Sequence, residues 1–170
     1  MISDNMQKAL NQQVKEEFYS AYMYLAMSSY CNTIGLPGFA HWMRIQYVEE
    51  NMHVTKMYDY ILIQGGAVHL LPIEAPEIEY GTPLEVFQKT LEHEQYITKK
   101  INELMDLAVQ EKDYATQTFL QWYVTEQVEE EANVNDILAP LTMVGDDKGG
   151  LMMIDQQLTT RTVPAPPPAN

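Results

Sequence analysis

The amino-acid sequence predicts an all-α fold: four long helices in one bundle, a long crossover between the second and third, and a short fifth C-terminal helix. Three observations predict it. Glycine and proline fall into a few clusters, and the stretches between them are rich in Ala, Leu, Met, Glu, Gln and Lys, which favour helix. Each long stretch carries an apolar stripe at i, i+3, i+4 spacing. One break, from Gly65 to Thr82, is far wider than an antiparallel turn needs.

The first helix, α1, is expected at about 4–33, and Gly35, Pro37 and Gly38 break the chain after it. Helix α2 follows at about 38–64. Helix α3, at about 83–110, has the clearest start: Thr82 as N-cap, Pro83 at the first helical position and Glu85 as the capping-box acid. The polar turn 110–113 separates it from α4 at about 114–144, where Pro140 is expected to kink or end the helix. Gly145 to Gly150 form the last break, and α5 is short, at about 150–160. Residues 163–170 carry four prolines. We read 1–162 as one domain and 163–170 as an extended, mobile tail.

Helix lengths constrain the topology. A helix of about 28 residues spans roughly 42 Å. The short α1–α2 and α3–α4 connections make each pair antiparallel. Residues 65–82, fully extended, reach about 60 Å, enough to run the length of the bundle. Helices α2 and α3 are then parallel.

Charge narrows the partners. Acidic residues outnumber basic ones 24 to 10, a formal net charge of −14, which disfavours nucleic acid and anionic membranes and favours cations. The sequence has no apolar run long enough to span a bilayer, and residues 1–10 lack the features of a secretory signal. Cys31 is the only cysteine, which excludes an intrachain disulfide and a Cys-x-x-Cys metal knuckle and fits a reducing cytoplasm.

The chemistry lies where the stripes are interrupted. The stripe of α1 runs Val14, Glu17, Ala21, Tyr24, Ser28; that of α2 runs Trp42, Gln46, Glu49/Glu50, His53, Met57, Tyr60. In α3 it runs Phe87, Leu91, Glu94, Thr98, Ile101, Met105, and in α4 Leu120, Tyr123, Gln127, Glu130, Val134, Ile137, Leu141. Each interruption falls near the middle of its helix, and the middle of a bundle helix has the same height whichever way the helix runs. Glu17, Glu50, His53, Glu94, Gln127 and Glu130 are therefore expected in one interior layer.

Four buried carboxylates cannot all be ionised without compensation, because desolvation and mutual repulsion raise their pKa values or unfold the site. Two divalent cations would neutralise them. Mixed oxygen and imidazole ligands suit iron and, less selectively, zinc or manganese. Glu50-x-x-His53 places two ligands on one face of adjacent turns, the recurring unit of di-iron carboxylate bundles.

The segments KEEFYSAYMYLAM, YVEENMHVTKMYDYI, EHEQYITKKINEL and FLQWYVTEQVEEE resemble the non-haem bacterial ferritins, in order, over about residues 1–160. The resemblance implies a ferritin-like fold and a hollow homo-oligomeric shell of 24 subunits. It further implies that Fe(II) is oxidised by O2 or H2O2 inside each bundle and kept as ferric oxide mineral in the cavity. The family's first iron site falls on Glu17, Glu50 and His53, and its second on Glu50 as a bridge, Glu94 and Glu130, with Gln127 close by. A third, inner site falls on Glu49, Glu126, Glu129 and Glu130. Tyr24 matches the family's near-site tyrosine.

The haem-containing relatives repeat Glu-x-x-His on α4, where this chain has Gln127-x-x-Glu130. Their haem-ligating methionine directly follows the α2 glutamate, and that position here is Asn51. No haem is expected. Gln127, uncharged, is expected to weaken the second iron position. His93 is one residue from Glu94 and so points off the stripe, His41 and His69 have no ligand-spaced partner, and none of the three is read as a ligand. The alternative on the same fold is a di-iron peroxidase or a mini-ferritin-like oxidative-stress protein. The missing four-cysteine domain, the short fifth helix and the mid-helix ligands argue against these.

Overall fold

The computed structural model describes residues 2–167. Five α-helices and no strand occur among them: α1 Asp4–Thr33, α2 Pro37–Ile63, α3 Pro83–Glu111, α4 Tyr114–Val144 and α5 Lys148–Leu158. Local chemistry sets the ends. The Ser3 side chain accepts from Met6 N to cap α1. Thr82 and Glu85 form the expected reciprocal capping box on α3. Lys112 takes the left-handed conformation, φ 59°, that turns the chain from α3 into α4. Helix α5 starts two residues earlier than its apolar stretch predicts, because Asp147 caps the backbone N–H groups of Gly149 and Gly150. Helix α4 does not end at Pro140; it continues to Val144, with Leu141 buried against the core. Packing of that last turn outweighs the backbone hydrogen bond that proline cannot make.

The crossover can be followed contact by contact. It begins beside the start of α1, where Asn11 Nδ2 donates to Ala67 O at 3.0 Å. Lys15 pairs with Glu74 further along. It finishes beside the end of α1, where Tyr30 OH donates to Gly81 O at 2.7 Å. The segment therefore runs the length of α1, and α2 and α3 both start at the end of the bundle where α1 finishes. Helices α2 and α3 are parallel, as the length argument requires.

Apolar side chains fill the bundle as two separate clusters. One contains Met23, Met27, Phe39, Trp42, Phe87 and Val134, and α5 closes it with Ile154 and Leu158. The other contains Leu10, Val14, Met57, Ile61, Ile101, Leu120 and Tyr123. Between them lies a polar layer. In α3 the fully buried line is Thr90, Glu94, Ile97, Ile101 and Leu104, while Leu91, Thr98 and Met105 are only half-buried, a small rotation from the predicted stripe.

Helix α5 docks on α2 through a close backbone approach. Asp155 Oδ1 accepts from Gly38 N at 2.8 Å and Phe39 N at 3.0 Å, capping α2 from outside. A Cβ on Gly38 would lie 1.7 Å from Asp155 O. We therefore expect Gly38→Ala to cost about 2 kcal/mol and lower the melting temperature by roughly 4–8 °C, read by scanning calorimetry. An unchanged melting temperature would mean that α5 is not seated there. The segment after α5 turns back along α2, with Arg161 against Trp42 and Glu49. Residues 168–170 of the Pro-rich tail lie outside the described residues. No described helix is long and apolar enough to cross a membrane.

Candidate metal centre

The polar layer is made by one or two side chains from each long helix. Glu17, Glu50, His53, Glu94, Gln127 and Glu130 are all buried, none more than 4% exposed. Ligand atoms of Glu17, Glu50 and His53 lie within 4.8 Å of one another, as do those of His53, Glu126 and Glu130. His53 stands between the two groups. Its Nδ1 is 3.3 Å from Glu50 Oε2 and 3.8 Å from Glu17 Oε2, while its Nε2 is 3.9 Å from Glu126 Oε1.

The remaining residues hold the carboxylates in place. Tyr24 OH donates a short hydrogen bond to Glu94 Oε1. Gln127 Nε2 reaches both Glu94 O and Glu94 Oε2 at 3.2 Å. Gln46 Nε2 donates to Glu130 Oε2 at 2.9 Å, and Gln13 Nε2 to Glu17 Oε1 at 2.9 Å. Glu17 Oε2 is buried with no hydrogen-bond partner. An ionised oxygen so placed is costly unless a cation meets it.

The electrostatics say the same. Burial pushes Glu50 well above the usual carboxylate range; His53 opposes this, and the Glu94 and Glu17 charges add to it. Burial raises Glu94 too, against its hydrogen bonds from Tyr24 and Gln127. Burial, then the Glu94 charge, raises Glu130 to about 7. Burial favours neutral His53, but Glu17 and Glu50 overcome it and hold the imidazolium well above its ordinary value. Glu17 differs: burial raises it, yet His53 and Gln13 bring it below the ordinary value. Without a metal, shared protons and the His53 cation keep the layer tolerable. A divalent cation would displace those protons.

The residues expected for a third site divide. Glu126 is half-buried, beside His53. Glu49 is buried, but it pairs with Arg161. Glu129 is exposed and belongs to neither ligand group. Among the other histidines, His93 is half-buried, with Nε2 2.7 Å from Ser20 Oγ, and desolvation lowers it to about 4. His41 bonds to the Arg161 carbonyl.

Sequence reasoning did not assign roles to Gln13, Gln46, Trp122 or Arg161. Gln13 and Gln46 lie one turn before Glu17 and Glu50, so the rule that found the glutamates applies to them as well. Trp122 packs edge-on to the His53 ring at 5.3 Å between centroids. Arg161 lies in irregular chain after α5, where no periodicity signals it.

Known proteins share this architecture and sequence. The ferritin-like domain family matches residues 7–144. The chain is 44% identical over 161 residues to the bacterial non-heme ferritin of Bacteroides fragilis (strain 638R), covering 95% of this chain and 100% of that one. It is 40% identical over 162 residues to the bacterial non-heme ferritin of Staphylococcus aureus (strain MRSA252), covering 95% and 98%. An open-pore ferritin from the hyperthermophilic archaeon Archaeoglobus fulgidus superposes with a TM-score of 0.94 at 50% identity, over 95% of this chain and 100% of that one. With relatives this similar along nearly its whole length, the chain belongs to the ferritin family.

Proposed function

We propose that the protein is an iron-storage ferritin with ferroxidase activity, taking up Fe(II) in pairs at the mid-bundle layer and oxidising it with O2 or H2O2. The observation that carries this is the buried, unpartnered Glu17 Oε2, which faces Glu50 and His53 within ligand distance. It supplies an anionic oxygen that accepts no hydrogen bond and is offset by the His53 imidazolium 3.8 Å away, a charge that a metal ion would replace. Glu17, Glu50 and His53 would hold one iron, and Glu50, Glu94 and Glu130 the other. Each Fe(II) gives up one electron, and hard carboxylate oxygens favour the ferric product.

The surrounding residues hold atoms and protons in place. Tyr24 stays protonated, raised by burial and by the Glu94 charge, and so remains a donor that orients Glu94. Gln127 steadies the same carboxylate without adding charge. His53 turns Nδ1 to Glu17 and Glu50 and Nε2 toward Glu126, so that Nδ1 would ligate once a metal ion displaces its proton.

Storage needs an enclosed volume, and we propose a shell of 24 copies in the cytoplasm. Large apolar side chains left exposed on one subunit, such as Met143, Met152, Met153 and Ile78, support burial against other copies. The open-pore ferritin of Archaeoglobus fulgidus, for which an engineered closed form exists, supports assembly of copies into a homo-oligomer. The test is aerobic addition of Fe(II) to the metal-free protein. We expect ferric absorbance to grow well above the protein-free rate, with the product remaining in solution at the size of the shell. Ferric formation at the buffer-only rate would overturn the reading.

A further inference from the structure

Beyond the oxidation site, the chain that follows α5 crosses the side of the bundle where Glu49 and Glu126 emerge. Arg161 Nη2 lies 2.5 Å from Glu49 Oε2, and its guanidinium stacks 4.3 Å from the Trp42 ring centroid. The Arg161 carbonyl is held by His41 Nε2 at 2.8 Å. Beyond it, Pro164, Ala165 and Pro167 lie over Glu49, Met52, His53, Trp122 and Glu126, leaving a gap of only about 20 Å³. That gap holds no more than about one water molecule.

We propose that residues 161–167 form a strap over the Glu49–Glu126 mouth of the metal centre, with the Arg161 guanidinium standing where a third cation would sit. This rests on the metal-centre reading above and concerns how that centre communicates with the space outside it. A cation at Glu49 would stand beside the Arg161 guanidinium already held by Oε2, and repulsion between the two like charges makes them compete. A cation leaving His53 for Glu126 and Glu49 must release Arg161 and lift the prolines. Proline suits such a strap, because its fixed φ leaves little chain entropy to lose on docking. The aromatic stack and the His41 bond give the strap a defined closed position. The strap thus separates a state with two filled positions from one that can take or pass on a third ion.

The test is an anaerobic titration of the assembled metal-free protein with Co(II), which is redox-inert here and reports each position by its absorption. Four forms are compared: the full chain, Arg161→Gln, Arg161→Lys, and a chain ending at Thr162. In the full chain we expect two tight Co(II) ions per subunit and a weaker third. Arg161→Gln should tighten the third by about tenfold, while Arg161→Lys, which keeps the charge, stays near the full chain. The shortened chain should release Co(II) to a chelator about tenfold faster, with the affinity of the first two ions unchanged. Equal third-ion affinity in the Gln and Lys variants, together with unchanged release from the shortened chain, overturns the strap and leaves the metal centre standing. Failure of every form to bind Co(II) overturns both.

Discussion

Glu50→Gln is expected to lower the initial rate of ferric-product formation by at least about 100-fold while leaving the metal-free bundle no less stable. In the proposed function Glu50 is the carboxylate shared by both irons: its Oε2 faces His53 Nδ1 at 3.3 Å, and it feels the charges of Glu94 and Glu17. An amide of the same shape fills the same volume, so the core does not open a cavity. It would supply one neutral oxygen in place of the proposed bridging anion, and pairing of the two irons should be lost. In the metal-free protein the change removes a buried acid whose ionised form burial and neighbouring charges disfavour. Stopped-flow absorbance gives the rate, and calorimetry the melting temperature. A rate within threefold of the unaltered protein would mean that Glu50 does not bridge.

The second large effect is a pH dependence whose sign depends on bound metal. Glu50, Glu94, Glu126, Glu130 and His53 all have folded-state pKa values above their ordinary ones. Through the window from about 4.5 to 7 the folded chain therefore binds more protons than the unfolded chain, and stability falls as pH rises. The carboxylate contribution is fully present below the ordinary value of 4.5 and is lost through the raised values, about 7 for Glu130. His53 extends the loss beyond its ordinary 6.5. Glu17 and His93, both lowered, act oppositely: the Glu17 contribution is lost as pH falls through a value below 4.5, and the His93 contribution as pH falls from its ordinary 6.5 to about 4, so the trend is set by the more numerous raised groups. We expect the metal-free melting temperature to drop by about 5 °C or more between pH 5 and 8. With saturating Zn(II) the protons are displaced and the trend should flatten or reverse. A metal-free protein that gains stability over this range would show that the layer is not proton-loaded.

How far the site was legible varies residue by residue. Glu17, Glu94 and Glu130 each interrupt an apolar stripe at mid-helix, and all three are buried in the polar layer between the two apolar clusters. Periodicity finds such residues because a helix places every third or fourth side chain on one face. It does not show which way each side-chain oxygen turns. Gln127 is expected in the interior layer from its spacing, and the family resemblance puts it close to the second iron site. The fold adds that its amide nitrogen reaches Glu94 and that Tyr24 binds the same carboxylate. Glu49, Glu126 and Glu129 looked alike in sequence, and the fold makes them a paired, a half-buried and an exposed carboxylate.

Sequence alone determined the number, length and order of the helices and the long crossover, because capping residues, breakers and stripes act locally or along one chain direction. It also determined that acids would stand at mid-height. The tertiary structure alone decided that Asp155 caps α2, that His53 faces carboxylates with both ring nitrogens, and that Arg161 returns to Glu49 across 112 residues of chain. These are pairings between distant segments, and their partners are chosen by the packing of whole helices, which no single stretch of sequence encodes.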